Sequence, residues 1–570
     1  MMTQFLPSAR TFRGLGAAAC AVTFFSVALQ SQLAGQAQSQ PPRATATGTP
    51  GAATSCDDLL LPPRDVKGHK VGPTSCQMIE SALSYDGKAY NRIDVGLDGS
   101  VDGYLAKVGD YKDYFTNGPD LVFPQTWGPR PVLFGVAKYE RAKGAAMVIV
   151  YPADKAAWNG KMFVTVHGRG ASFKEGGLKA WDKNLDTANP IRDLDKYERL
   201  MVAKGYILVK TRRTSTEGIG EITATLEDGS TVDSVAFNDT AHYIMDFADV
   251  AKAAMAKRLG TPVHVYMYGH SAGARIGHSL NYTPGLNVGR DGKRYFDGLL
   301  NDDPAAGTWY PVVMKDGKDV LFTTPGEEAA FVPMIDVAHQ GYNNIWPPKH
   351  PDWMSNSYLE NKRNNARILR DKGMTNYRMY EVRSVSHSGG EGATDGRTSE
   401  YQTIDLSRAM DKFIDMVDAW ADKGVAPPPT RSDWAELGDA NKDGVIENAA
   451  LSFPDVSCPL GVYHSYPDST AGNTAFAPFS GQGIEPLDKK SVFVDMNRNG
   501  VWDYRETPTQ AWRRLGLLQP NETLTREKYV ACVQNAADAL RKGGFFSDKT
   551  AAWYVEQAKS VELTPKSGTQ

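Results

Sequence analysis

Residues 263–268 of this chain form a short β-prone run, Val263-His264-Val265-Tyr266-Met267-Tyr268. The run meets Gly269-His270-Ser271-Ala272-Gly273, after which Ala274-Arg275 opens a helical pattern. A turn this sharp between strand and helix lifts a serine oxygen above the carboxyl edge of a parallel sheet. Side chains at Gly269 and Gly273 would collide inside it, and close helix–strand packing needs the same relief. The new helix aims its free N–H groups and positive dipole end back at Ser271, where negative charge would develop. With 54 glycines in 570 residues, the five-residue pattern recurs by accident. Its setting between strand and helix is what constrains the fold.

The flanking sequence supplies the rest of a sheet. Residues 161–166 are a continuous apolar strand ending in His167-Gly168-Arg169-Gly170. Residues 197–203 read as a helix and 205–210 as a second buried strand. Residues 239–259 carry helical apolar spacing through Ile244, Phe247, Val250 and Ala254. Past the serine turn, strands are expected at 295–301, 331–337 and 377–382. The first ends in Asp302-Asp303-Pro304-Ala305 and the last is followed by Ser386-His387-Ser388-Gly389-Gly390. An amphipathic helix over 403–422 closes the unit, with Leu406, Met410, Phe413, Val417 and Trp420 on one face. Strands alternating with helices predict an α/β class, a doubly wound and mostly parallel sheet. Residues 132–140 and 145–151 read as an antiparallel pair ahead of it.

Length allows more than one domain. Arg10 and Arg13 precede an apolar run over 14–29, and small residues at 34–37 follow, so residues 1–37 read as a secretory signal cleaved after Ala37. Residues 38–55 are a low-complexity tether. Residues 56–130 are irregular, a cap or edge strands fastened by Cys56 and Cys76. The catalytic domain spans 131–426, Pro427-Pro428-Pro429 marks a linker, and 431–570 form a smaller helical module. Without Cys20 four cysteines remain, and the local pairings Cys56–Cys76 and Cys458–Cys532 are favoured in an exported chain. A net charge of −3 argues against a nucleic-acid partner. Past residue 37 nothing is apolar for long enough to anchor in a bilayer. Secretion or periplasmic export is expected; oligomeric state is not legible.

A serine hydroxyl needs a base, and the base an orienting acid. In this kind of sheet the order along the chain is serine, acid, histidine. His387 sits past the last strand and before the closing helix, where a Ser/Gly-rich loop can return an imidazole to Ser271. His339 and His350 compete from a Trp/Pro-rich loop that would otherwise line the pocket, together with Trp309, Trp346 and Trp353. For the acid, Asp303 at the end of the next strand is preferred and Asp336 is the reserve. An oxyanion hole requires two backbone donors: the N–H of Ala272, and one from the glycine turn after residue 166, at Gly168 or Arg169.

Together, Gly269 to Gly273, the turn at His167-Gly168 and His387 resemble the α/β-hydrolase superfamily over about residues 130–425. The resemblance implies Ser-His-acid hydrolysis of esters, lactones, thioesters or amides with no organic cofactor. Asp303-Pro304-Ala305 is similar to the acid motif of pancreatic-type lipases. The tail of the domain is similar to uncharacterised secreted members. Tannases and feruloyl esterases of the tannase type carry cysteines where this chain has His270 and Ser386, so their substrates are not implied. The expectation is a secreted serine hydrolase of small-molecule or polymeric carboxylic esters. A peptidase or amidase on the same fold, and a non-catalytic binding protein, are the alternatives.

The C-terminal region holds a second motif. Asp495, Asn497 and Asn499, the Val501 carbonyl, Asp503 and Glu506 match a twelve-residue calcium loop, with Gly500 at its sharp turn. Oxygens spaced by two converge on one hard cation and Glu506 closes the site. The module resembles dockerin or EF-hand loops, and its Ca2+ is expected to be structural. An earlier run, Asp439-x-Asn441-x-Asp443-Gly444-Val445-Ile446-Glu447, begins alike but has Ala450 at the twelfth position.

Overall fold

A computed structural model describes residues 45–46, 51–62, 64–66, 69–71, 73–98, 132–135, 145–167, 194–212, 221–226, 231–236, 238–282, 286–304, 312–315, 318–321, 331–341, 358–387, 389, 404–465, 474–479 and 507–563. The signal at 1–37, most of the tether, Gly168 and Arg169, Trp309, Trp346, Trp353, His350 and the Asp495–Glu506 loop lie outside the described residues. Among the described residues no helix is long and apolar enough to cross a membrane.

The centre is one eleven-stranded sheet. Its main strands are β1 (Ser75–Tyr85), β2 (Lys88–Asp98), β3 (Ala145–Pro152), β4 (Lys161–His167), β5 (Ile207–Arg212), β6 (His264–His270), β7 (Gly298–Asp302), β8 (Met334–His339) and β9 (Tyr377–Val382). They lie in the order β1-β2-β3-β5-β4-β6-β7-β8-β9, with two-residue strands at Thr45–Ala46 and Thr54–Ser55 alongside β1. From β5 to β9 every pairing is parallel; β1, β2 and β3 join antiparallel. Strand order reverses at β4, because the chain steps to β5 on one side and later to β6 on the other. Such a switch point opens a crevice at the carboxyl ends of the strands.

Alternate residues of each central strand enter two cores. Val265 and Met267 of β6 face the layer holding α2 (Asn238–Ala256), while Tyr266 and Tyr268 face α1 (Lys196–Ala203) and α5 (Ser407–Lys423). Both faces are covered, which is why these strands read as unbroken apolar runs. On α2 the spaced residues Ile244, Phe247, Val250 and Ala254 are buried. Helix α5 buries Met410, Phe413, Val417 and Trp420 and ends at Gly424, whose φ of +68° suits a left-handed cap. Two more helices flank the site: α3 (Ala272–Tyr282) and α4 (Tyr358–Asp371).

One expectation is corrected and another is narrowed. Residues 132–135 do not pair with β3; they pair with 223–226, and β3 instead joins β2 and β5. Residues 75–98 take the edge-strand alternative of the 56–130 reading and are regular rather than irregular. They form a long hairpin that extends the central sheet, and Cys56–Cys76 is bonded at its start. The other disulfide is Cys458–Cys532. Residues 41–570 form one compact unit, in which the segment after 431 closes the sheet's outer edge. Arg431 and Leu451 bridge Tyr380 and Val382 of β9 in parallel. Phe545, between helices α6 (Arg526–Lys542) and α7 (Asp548–Ser560), sets its ring 5.1 Å from that of Tyr380.

Candidate active site

Ser271 stands between β6 and α3 with φ +57°, a left-handed conformation that a non-glycine residue holds only when its surroundings enforce it. They do. A Cβ on Gly273 would lie 2.1 Å from the Val166 carbonyl oxygen, and one on Gly269 2.6 Å from the Gly273 backbone. The Ser271 N–H donates to the Asp302 carbonyl at 3.0 Å, tying the turn to the neighbouring strand end. Ala272, expected as an oxyanion donor, is the first residue of α3.

His387 arrives on the turn after β9. Gly389 N–H donates to the Ser386 carbonyl at 2.9 Å, Gly341 N–H to that of Val385 at 2.8 Å, and the Tyr197 hydroxyl to that of Gly389 at 3.0 Å. So held, the imidazole spans two partners. Its Nε2 lies 2.9 Å from Ser271 Oγ and its Nδ1 2.5 Å from Asp303 Oδ2. Its side chain is 12% exposed.

Asp303 is fully buried just past β7. Besides His387, its carboxylate accepts the His339 backbone N–H at 2.9 Å and the Lys362 ammonium. Burial pushes its pKa up, but His339, Lys362 and His387 outweigh that and hold it well below the usual carboxylate range. For His387 burial is the largest effect and opposes the bond to Asp303; with the nearby His270 and Lys362 it brings the imidazole down to about 4. Above that value the ring is neutral and able to take a proton.

The reserve acid is elsewhere. Asp336 is buried within β8 and accepts from the Tyr377 hydroxyl, the Asn301 amide and His278 at 2.7–3.0 Å. Each of these bonds is to a packed neighbour in the sheet or in α3. His339 is corrected too: it ends β8 and is fully buried, so it does not line a pocket from a loop. Sequence reasoning missed Asp302 and Lys362 as surroundings of the site, and named His339 in a different role. The tandem carboxylates were a visible signal. Lys362, inside a helix of mixed charge, was not.

In the C-terminal segment, the carboxylate oxygens of Asp439, Asp443 and Glu447 lie within 4.8 Å of one another. The Asp443 and Gly444 N–H groups donate to Asp439, and the Val445 N–H to Asp443. Ala450 ties its N–H to Asp433 instead of adding a ligand.

No protein-family model matches the chain, and no curated protein matches it. Solved structures do. One is a poly(3-hydroxybutyrate) depolymerase from Bordetella parapertussis, 14% identical, covering 55% of this chain and 94% of its own, with a TM-score of 0.27. A thermophilic esterase from the planctomycete Thermogutta terrifontis is 14% identical, covering 54% and 98%, with a TM-score of 0.30. Poly(aspartic acid) hydrolase-1 from Sphingomonas sp. KT-1 is 13% identical, covering 45% and 94%, with a TM-score of 0.27.

Proposed function

We propose that the chain is a serine hydrolase of carboxylic esters, with Ser271 as nucleophile, His387 as base and Asp303 as orienting acid. The observation that carries this reading is the pair of contacts His387 makes, 2.9 Å to the Ser271 hydroxyl and 2.5 Å to Asp303. Ser271 Oγ attacks the ester carbonyl while its proton passes to His387 Nε2. The imidazolium so formed is stabilised by the Asp303 carboxylate at Nδ1. The oxyanion is received by the Ala272 N–H at the start of α3 and by a donor from the turn at Gly168, each such donor contributing about 3 kcal/mol in the transition state. His387 then protonates the departing alkoxide, and water repeats the sequence on the acyl-enzyme. The Asp303 carboxylate charge beside an uncharged imidazole suits this proton transfer, and no organic cofactor is proposed.

A fluorophosphonate probe tests the assignment. Wild-type protein should take one label and turn over p-nitrophenyl esters, and Ser271→Ala should do neither. Preference for peptide anilides would favour the amidase reading; an unlabelled, folded wild type would favour a binding role. We also propose export under the N-terminal signal, which the two disulfides suit. Ca2+ is proposed as a structural ion at Asp495, Asn497, Asn499, Val501, Asp503 and Glu506, with the Asp439–Glu447 run as a second position. Chelation should then lower Tm while leaving turnover of still-folded protein intact; immediate loss of turnover would assign the ion a part in the chemistry.

A further inference from the structure

We propose that His339 is held as an imidazolium which, with Lys362, keeps Asp302 and Asp303 both ionised and ties together the residues preceding each of the three active-site side chains. The proposal rests on the Ser271-His387-Asp303 reading and names a positioning residue for it.

The ring's own bonds require two protons. His339 Nδ1 lies 2.7 Å from the Ser386 carbonyl oxygen, and Nε2 lies 2.9 Å from Asp302 Oδ1. A carbonyl offers no hydrogen, and neither does an ionised carboxylate, so each nitrogen must donate. A proton on Asp302 would remove the second demand. That carboxylate, however, also accepts from the Tyr268 hydroxyl at 2.9 Å and faces His270 Nδ1 at 2.8 Å. Burial pushes Asp302 up, but His339 and His270 outweigh it and hold it below the usual range. Burial likewise pulls His339 down, and Asp303 and Asp302 outweigh it in the other direction.

Charge balance points the same way. Asp302 and Asp303 are consecutive and 0% exposed. Two adjacent buried carboxylates share a proton unless cations offset them, and buried charges persist only in pairs. Lys362 of α4 is one cation, on Asp303 Oδ1. His339 is the other, 2.9 Å from Asp302 and 3.5 Å from Asp303. Two positive charges thus face the two carboxylates.

Its connectivity gives it a role. His270 precedes Ser271, Asp302 precedes Asp303 and Ser386 precedes His387. The run His270–Asp302–His339–Ser386 thus lies one residue upstream of the proton path and links the same three strand ends. His339 adds its backbone N–H to Asp303, and the His270 ring rests 4.8 Å from that of His387. The groups facing His339 are Asp302 and Asp303 from the β7 end and Lys362 from α4. Those facing His387 are Asp303, Ser271, His270 and Lys362.

The first test is on wild-type protein. With 15N-labelled histidine, the His339 ring nitrogens, assigned by their loss in His339→Gln, should both be protonated at pH 7. One bare nitrogen at pH 7 overturns the proposal. The second test is the pH profile. Glutamine keeps one donor but no charge, so kcat should fall by roughly a hundredfold. The acid limb of kcat/KM, set by His387, should rise by about one pH unit because a cation has been removed from beside its Asp303 partner, with KM little changed. A lower Tm with unchanged kcat and limb would overturn the positioning role. Should His339→Gln fail to fold, Lys362→Met is measured the same way, and neutron diffraction of the wild type reads the two ring protons. Fluorophosphonate labelling separates the readings. An unlabelled wild type overturns the triad, whereas a labelled, active wild type with a neutral His339 overturns only this inference.

Discussion

Asp303 and Asp336 are both buried carboxylates on neighbouring parallel strands, one just past its strand and one within it, and they differ in what faces them. Asp303 holds a left-handed φ of +46° past the end of β7 and meets His387. Asp336 sits inside β8 among Tyr377, Asn301 and His278. Asp303→Asn should therefore cut kcat by about three to four orders of magnitude, since the amide no longer fixes the imidazole tautomer. Asp336→Asn should lower stability by about 1–3 kcal/mol through poorly satisfied buried partners while folded protein keeps its turnover; the reverse ranking would replace the acid. The pH dependence follows from His387. Its folded pKa, about 4, is below the ordinary 6.5, and only the neutral ring accepts the serine proton. Ester turnover should hold from neutral pH downward and be lost as pH falls through about 4, read as the acid limb of kcat/KM. A limb near 6.5 would contradict the burial argument.

The serine turn is where element geometry decides chemistry. Because the space for a Cβ at Gly273 is filled by the Val166 carbonyl, Gly273→Ala must push α3 off β4. It should cost about 2–3 kcal/mol and displace Ser271 from His387. Gly424→Ala, at the open left-handed cap of α5 with nothing within 4 Å, should cost about 1–2 kcal/mol and leave turnover unchanged. Thermal melts and kcat on both variants check the contrast. Elements of this kind were legible, since the buried strands and the apolar stripe of α5 leave periodic traces. Residues 377–382 emerge with the bounds their pattern gives. The β1–β2 hairpin was not legible: its mixed polar residues, such as the buried pair Arg92–Asp94, mask the alternation that marks a strand.

Across the whole molecule, the segment after the proline run changes what counts as a domain. Its backbone bridges the outer edge of β9, and Phe545 packs against Tyr380 and Phe413 beneath the strand that delivers His387. A chain ended at residue 426 leaves that strand edge and those rings bare, a condition that favours aggregation. It should give no cooperative thermal transition and no fluorophosphonate labelling; a soluble, active product would mark the segment as dispensable. By itself the sequence determined the class of sheet, the serine turn and the order in which Ser271, Asp303 and His387 follow along the chain, because periodicity, glycine sterics and turn chemistry are local. Only the tertiary structure decided which of two buried aspartates meets the histidine, that His339 and Lys362 lie against the paired carboxylates, and that the C-terminal helices seal the sheet. Those outcomes depend on strand register and on charges brought together from distant positions, and neither leaves a mark in local sequence.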